Sequence, residues 1–114
     1  MVSVTPRKIE EVVQLFTLAA KQVYGPALQE VILYGSCARG DFAADSDIDI
    51  MVLLDVPQEE INTARKKMLD TSDRLDMDYD VVLTPVFQSK QMFDRFLPAS
   101  KFYQNVKAEG VRYA

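Results

Sequence analysis

Two groups of residues in this sequence have the types and spacing that chemistry needs. Gly35-Ser36 follows the apolar run Val31-Ile32-Leu33-Tyr34, and after ten intervening residues Asp47 and Asp49 flank Ile48 at the head of a second apolar run, Ile50-Met51-Val52-Leu53-Leu54. Where a strand gives way to a helix, free backbone N–H groups point outward and attract an anion. A side chain at position 35 would hold a phosphate off those groups; Ser36 either adds its hydroxyl or only caps the short helix. Aspartates two apart on a strand project from one face and can share hard cations. Strand propensity and burial both disfavour them there, so their presence calls for a compensating charge.

Two cations about 3.5–4 Å apart need more ligands than one aspartate pair supplies. The segment Asp76-Met77-Asp78-Tyr79-Asp80-Val81-Val82-Leu83-Thr84 alternates acid with apolar side chains. Read as a strand, it puts Asp76, Asp78 and Asp80 on one side. Asp80 is the expected third ligand, and Asp78, one step earlier on the same face, is the alternative.

Composition narrows the chemistry further. Histidine is absent and Cys37 is the single cysteine. Histidine-based nucleophile pairs and zinc cages are therefore excluded, and oxygen-ligated cations are favoured. A lone cysteine fits a reducing compartment and, without a lowered pKa, is assigned no thiol chemistry. The net charge of −4 lacks the basic stripe of a nucleic-acid binder. With no signal-like N-terminus at Met1-Val2-Ser3-Val4-Thr5-Pro6 and no bilayer-length apolar run, a soluble, cytoplasmic protein with no membrane partner is expected.

The elements that must position these groups follow from periodicity. At 114 residues and 48% hydrophobic content, one domain spanning 1–114 is expected. Thr5-Pro6 starts a helix running to about Tyr24, with Ile9, Val12, Val13, Phe16, Ala20 and Val23 as its stripe. Gly25-Pro26 stops it and Leu28 to Tyr34 forms a strand. After Asp55-Val56-Pro57, a helix is expected from Gln58 to about Arg74, packing through Ile61, Ala64, Met68 and Leu75, with Glu59, Glu60, Arg65, Lys66, Lys67 and Asp70 forming a solvated face. Met77 to Thr84 is the expected third strand, ended by Pro85. An amphipathic segment from Ser89 to Phe96 and a helix from Ser100 to Glu109, closed by Gly110, complete the chain. The order predicts an α/β (α+β) sandwich, a small mixed sheet with helices packed on one face. The pairing of the first two strands is open between an antiparallel pair and a tight crossover.

Gly35-Ser36, the ten-residue spacer containing Ala38-Arg39-Gly40 and Ser46, and Asp47-Ile48-Asp49 together resemble the minimal nucleotidyltransferases of the DNA polymerase β superfamily. Tyr79 to Pro85 and the tail Phe102 to Gly110 extend the resemblance over the whole chain. It implies the nucleotidyltransferase fold and transfer of a nucleoside monophosphate from an NTP, with Gly35 and Ser36 holding the triphosphate and Asp47, Asp49 and Asp80 holding two Mg2+ ions. Asp80 is also the candidate proton acceptor. Arg39 is read equally as a phosphate contact and as a structural ion-pair partner.

Small members with this pattern look like the antitoxin of HEPN toxin-antitoxin pairs, which adenylylates a tyrosine of a separate helical toxin with ATP as donor. Two rivals stand beside that reading: transfer to a small hydroxylated molecule, for which the chain leaves little pocket, and a non-catalytic toxin-binding module, which leaves the aspartates unexplained. Met92, Phe93, Phe96, Phe102 and Tyr103 either close the core or dock a partner. Oligomeric state and base preference are open.

Overall fold

Thr5 caps the first helix as its sequence suggests: its Oγ1 accepts from the Lys8 N–H at 3.2 Å, and Pro6 occupies the first turn. In this computed structural model, which describes residues 3–114, that helix is α1 (Pro6–Tyr24). It buries Ile9, Val12, Val13, Phe16 and Ala20. A 3-10 turn at Gly25–Ala27 leads into β1 (Leu28–Tyr34), followed by the one-turn helix α2 (Ser36–Arg39) and β2 (Ile48–Leu54). Met1 and Val2, the start of the N-terminal stretch read above as lacking a signal, lie outside the described residues. Among the described residues no helix is long and apolar enough to cross a membrane.

The connection through α2 serves an antiparallel pair. Leu33 faces Ile50 and Tyr34 faces Asp49 across β1 and β2. The expected single helix after β2 is broken: a 3-10 turn at Gln58–Glu60 precedes α3 (Ile61–Lys66), and after Lys67-Met68 a second helix, α4 (Leu69–Tyr79), sets off. Each piece turns its own apolar residues inward, Ile61 and Ala64 on α3 and Leu75 on α4.

The third strand is the main departure from the sequence reading. Met77 to Tyr79 belong to α4, and β3 is Leu83–Ser89, parallel to β2 with Ile48 opposite Leu83 and Asp49 opposite Thr84. The alternating segment is also consistent with a helix, because Ser72, Leu75 and Tyr79 recur at three- and four-residue steps. Packing decides between the two. Ser72 and Leu75 are buried, whereas Met77, the residue a strand would turn to the core, is 83% exposed.

Pro85 does not end the strand but sits inside it. The Ile48 N–H donates to the Val82 carbonyl at 2.9 Å, which turns the even-numbered residues of β3 toward β2. Leu83 and Pro85 thus aim their backbone nitrogens at the open edge. The Asp76 carboxylate accepts the Leu83 N–H at 2.9 Å, and Pro85 has no N–H to expose. The sheet edge is blunted by these two residues.

After β3, Ser89 and Ser100 cap α5 (Lys90–Phe96) and α6 (Lys101–Glu109), and β4 (Val111–Arg112) pairs antiparallel with β1. The order is β3-β2-β1-β4, a mixed four-stranded sheet as expected. Helices cover both of its faces rather than one. Val31, Leu33, Ile48, Ile50, Val52 and Leu54 pack with α1, α3 and α4, while Ile32, Met51 and Leu53, one residue out of phase, pack with Phe93 of α5 and Val106 of α6. The near-continuous apolar run of β2 is what two covered faces require. Each of those fully buried aliphatics contributes about 1.5–3 kcal/mol by area removed from water.

Candidate active site

The alternation that buries Ile48 and Ile50 against α1 turns Asp47, Asp49 and Met51 to the opposite face, the one α5 and α6 cover. Asp47 lies one residue ahead of β2 and is exposed; Asp49 is half-buried inside it. The charged groups therefore stand at the open end of an otherwise apolar face.

Gly35 and Asp49 meet directly. Gly35 has φ +74°, and a Cβ built there would lie 2.4 Å from Asp49 Oδ2. Any other residue would carry both a left-handed backbone and a collision with the carboxylate. The Ala38 and Arg39 N–H groups bond back to the Gly35 carbonyl and Gly40 to Ser36. The Ser36 and Cys37 N–H groups, in the first turn, have no intrahelical acceptor.

On the other side, Thr84 Oγ1 donates to Asp49 Oδ1 at 2.6 Å. One oxygen of the carboxylate is thus held by Thr84 and the other lies against Gly35. Sequence reasoning missed Thr84. Starting the third strand a few residues later would have set it opposite Asp49.

The surroundings respond to these charges. Burial, with Asp49 second, pushes the Tyr34 phenol up to about 12, so it stays protonated. Its ring meets Phe102 of α6 edge-on, centroids 5.6 Å apart. Burial raises the Cys37 thiol, Asp49 and Asp47 add to the rise, and Ser36 opposes it. Its Sγ–H donates to the Asp47 carbonyl at 3.4 Å, packing the turn onto the strand without thiolate chemistry.

The remaining aspartates are distributed along a helix. Asp80 does not stand on a strand beside Asp49, since Thr84 holds that place. It closes α4 in the left-handed region, φ 56°, its N–H bonded to the Asp76 carbonyl and its own carbonyl accepting from Ser3. Asp78 is exposed, about 200° around the helix from Asp76. Burial raises the Asp76 carboxyl, the Leu83 N–H opposes that, and Asp73 and Asp47 add to it. Among the described residues, no three His, Cys, Asp or Glu side chains are grouped to hold a metal ion.

Arg39 closes the turn as an ion-pair partner: Nε lies 3.2 Å from Asp41 and a terminal nitrogen 3.3 Å from Glu109. The aromatic group at the C-terminal end divides. Phe93 is buried, Met92 and Tyr103 are half-buried, and Phe96 and Phe102 are exposed.

The oxygen-only donors Asp47 and Asp49 fit a hard divalent cation of the magnesium class, which one or two carboxylates hold while phosphates and water complete its shell. An anion turn in contact with a strand carboxylate has the chemistry to take a polyphosphate together with its cation. The chain belongs to the nucleotidyltransferase domain family, whose model matches residues 13–109.

Two curated proteins of Methanocaldococcus jannaschii, each named "putative protein adenylyltransferase", are similar to it. MJ0604 is 33% identical, covering 89% of this chain and 93% of its own, and MJ0141 is 27% identical over 84% and 95%. The crystal structure of a "putative nucleotidyltransferase" from Sulfolobus solfataricus matches with TM-score 0.53 and 25% identity over 99% of this chain and 90% of that one. A crystal structure of a toxin-antitoxin with AMP-PNP shares the fold, with TM-score 0.53 and 23% identity over 87% and 70%. The enzyme class is therefore nucleotidyltransferase.

Proposed function

We propose that the chain is a Mg2+-dependent adenylyltransferase that moves AMP from ATP to a tyrosine hydroxyl of a separate HEPN-type toxin in the cytoplasm, and so serves as its antitoxin. The observation that carries the reading is the contact between Gly35 and the Asp49 carboxylate, which brings the anion turn and the cation ligand together. The curated relatives' names support AMP transfer to protein. The sequence resemblance and the shared fold support the toxin partner.

In this reading the Ser36 and Cys37 N–H groups and the Ser36 hydroxyl bind the triphosphate, and Arg39 braces the turn that presents them. Asp47 and Asp49 hold the cation, and Asp80, two residues before Val82 at the same end of the sheet, is the third carboxylate of a two-ion site. A divalent cation held there would neutralise phosphate charge and lower the pKa of the attacking hydroxyl. Thr84 keeps the Asp49 carboxylate oriented. The acceptor oxygen attacks the α-phosphorus in line. As that P–O bond forms, the bond to pyrophosphate breaks, and the phenolic proton passes to Asp80. Phe102, exposed against Tyr34, offers apolar surface next to the site for a macromolecular acceptor.

The test is incubation with ATP labelled at the α-phosphate, Mg2+ and the candidate helical toxin, comparing the native chain with an Asp47→Ala, Asp49→Ala variant and with Asp80→Asn. Label on a toxin tyrosine with the native chain alone supports the reading. Neutralisation by the double variant without label would establish contact inhibition instead. An Asp80→Asn variant as active as the native chain would remove Asp80 from the ligand set.

A further inference from the structure

Glu109 is the last residue of α6, where the carboxylate opposes the helix dipole. Local structure gives no reason for an acid there. Its position is nevertheless firmly set. Gly110 is pressed so close to β1 that a Cβ on it would lie 2.3 Å from Ile32 Cγ2 and from the Val106 carbonyl. Beyond it, Val111 pairs with Leu33 and Arg112 with Ile32, and the Tyr113 hydroxyl donates to Glu10 of α1 at 2.7 Å. Residues 110–113 fasten the end of α6 to the sheet and to α1.

From that fixed point Glu109 reaches Arg39, seventy residues away in sequence, at 3.3 Å. Arg39 terminates α2, the single turn that presents Gly35 and Ser36. A helix of one turn has little stability of its own, because nucleation is costly and few bonds repay it. Cys37 pins one side of the turn to the core, and the Arg39–Glu109 pair pins its far end.

We infer that Glu109 is a positioning residue for the nucleotide: through Arg39 it holds the Ser36–Arg39 turn, and with it the Gly35-Ser36 anion site, in the geometry that binds the triphosphate. The inference rests on the nucleotidyl-transfer reading above and adds the C-terminal helix to that site. It also separates two effects that a purely structural ion pair would join. Removing the charge relieves the clash with the α6 dipole, so stability is unchanged or slightly higher while nucleotide binding weakens.

The experiment is equilibrium binding of α,β-methylene ATP with Mg2+ to four full-length chains, native, Glu109→Gln, Arg39→Gln and the double variant, with Tm read alongside. Glu109→Gln is expected to weaken binding about two- to fivefold, the range of an exposed ion pair, at equal or higher Tm. In the Arg39→Gln background the same change is expected to add nothing, because its route is gone. Native-like affinity in Glu109→Gln, or an equal loss in both backgrounds, would overturn the inference alone. Failure of the native chain to bind the analogue would overturn the nucleotide reading and this inference with it.

Discussion

The turn between β1 and β2 and the join between α4 and β3 both deliver aspartates to the same end of the sheet, and they do it by opposite means. In the first, a glycine lets the backbone come up against Asp49, and the strand's alternation alone aims Asp47 and Asp49 to one face. In the second, Asp76 and Asp80 sit near the end of a helix. Asp76 caps the Leu83 N–H at the sheet edge, and Asp80 turns the chain in the left-handed region. One unit sets two carboxylates on one face beside an anion turn, with Thr84 donating to Asp49. In the other, an Asp76 oxygen already accepts the Leu83 N–H and closes a helix onto an edge strand. Aspartate spacing alone does not distinguish a ligand from a cap; what each carboxylate already holds does.

The sharpest way to break this contrast is at Gly35. Gly35→Ala adds a Cβ that collides with Asp49 and strains a positive-φ position, costing about 1–3 kcal/mol of local strain. Adenylyl transfer is expected to fall by at least about 100-fold through misplacement of the reacting groups. Steady-state transfer rates check this, with Gly40→Ala as control, since a Cβ at Gly40, also at positive φ, meets nothing within 4 Å.

Thr84→Val removes the donor to Asp49 Oδ1 and is expected to lower activity or metal affinity by about 10- to 100-fold, the usual cost of losing a ligand's hydrogen-bond partner. Thr84→Ser is expected to restore most of it. Mn2+ titration of the two variants gives the reading without relying on turnover.

At Asp76 and Pro85 the effects are smaller and concern stability. The Asp76 carboxyl is raised by burial above its ordinary value of 3.8, so the folded state holds its proton more tightly than the unfolded chain does. Its contribution is therefore most favourable below about pH 4 and is lost as pH rises through the folded pKa. Asp76→Asn keeps an acceptor for the Leu83 N–H, and is expected to raise stability at neutral pH and flatten that acid-limb dependence. Urea unfolding from pH 3 to 7 measures it. Smallest of all, Pro85→Ala is expected to cost less than about 1 kcal/mol, mostly through the unfolded chain's entropy, because its backbone nitrogen faces the open edge.

Much of this was legible in the sequence because it is local. Thr5-Pro6, the stripe of α1, Gly35-Ser36 and the paired aspartates each carry their own signal within a few residues. The α4–β3 boundary was not legible, since Asp76 to Asp80 satisfies a strand's alternation and Ser72, Leu75 and Tyr79 satisfy a helix's period. Only packing, with Met77 left in solvent, chooses between them. Thr84 was hidden by that same misplaced boundary. The two-sided covering of the sheet could have been read from the unbroken apolar run of β2, while β4 is two residues long and carries no pattern of its own. The Arg39–Glu109 pair joins residues seventy apart, and no local rule reveals it.

The most direct measurement is anomalous diffraction from the native chain crystallised with Mn2+ and α,β-methylene ATP. The account predicts a manganese peak bonded to Asp47 and Asp49, with the triphosphate on the Gly35-Ser36 turn and Thr84 still donating to Asp49. Manganese and nucleotide bound away from Asp49, with that carboxylate left to Thr84 alone, would contradict it.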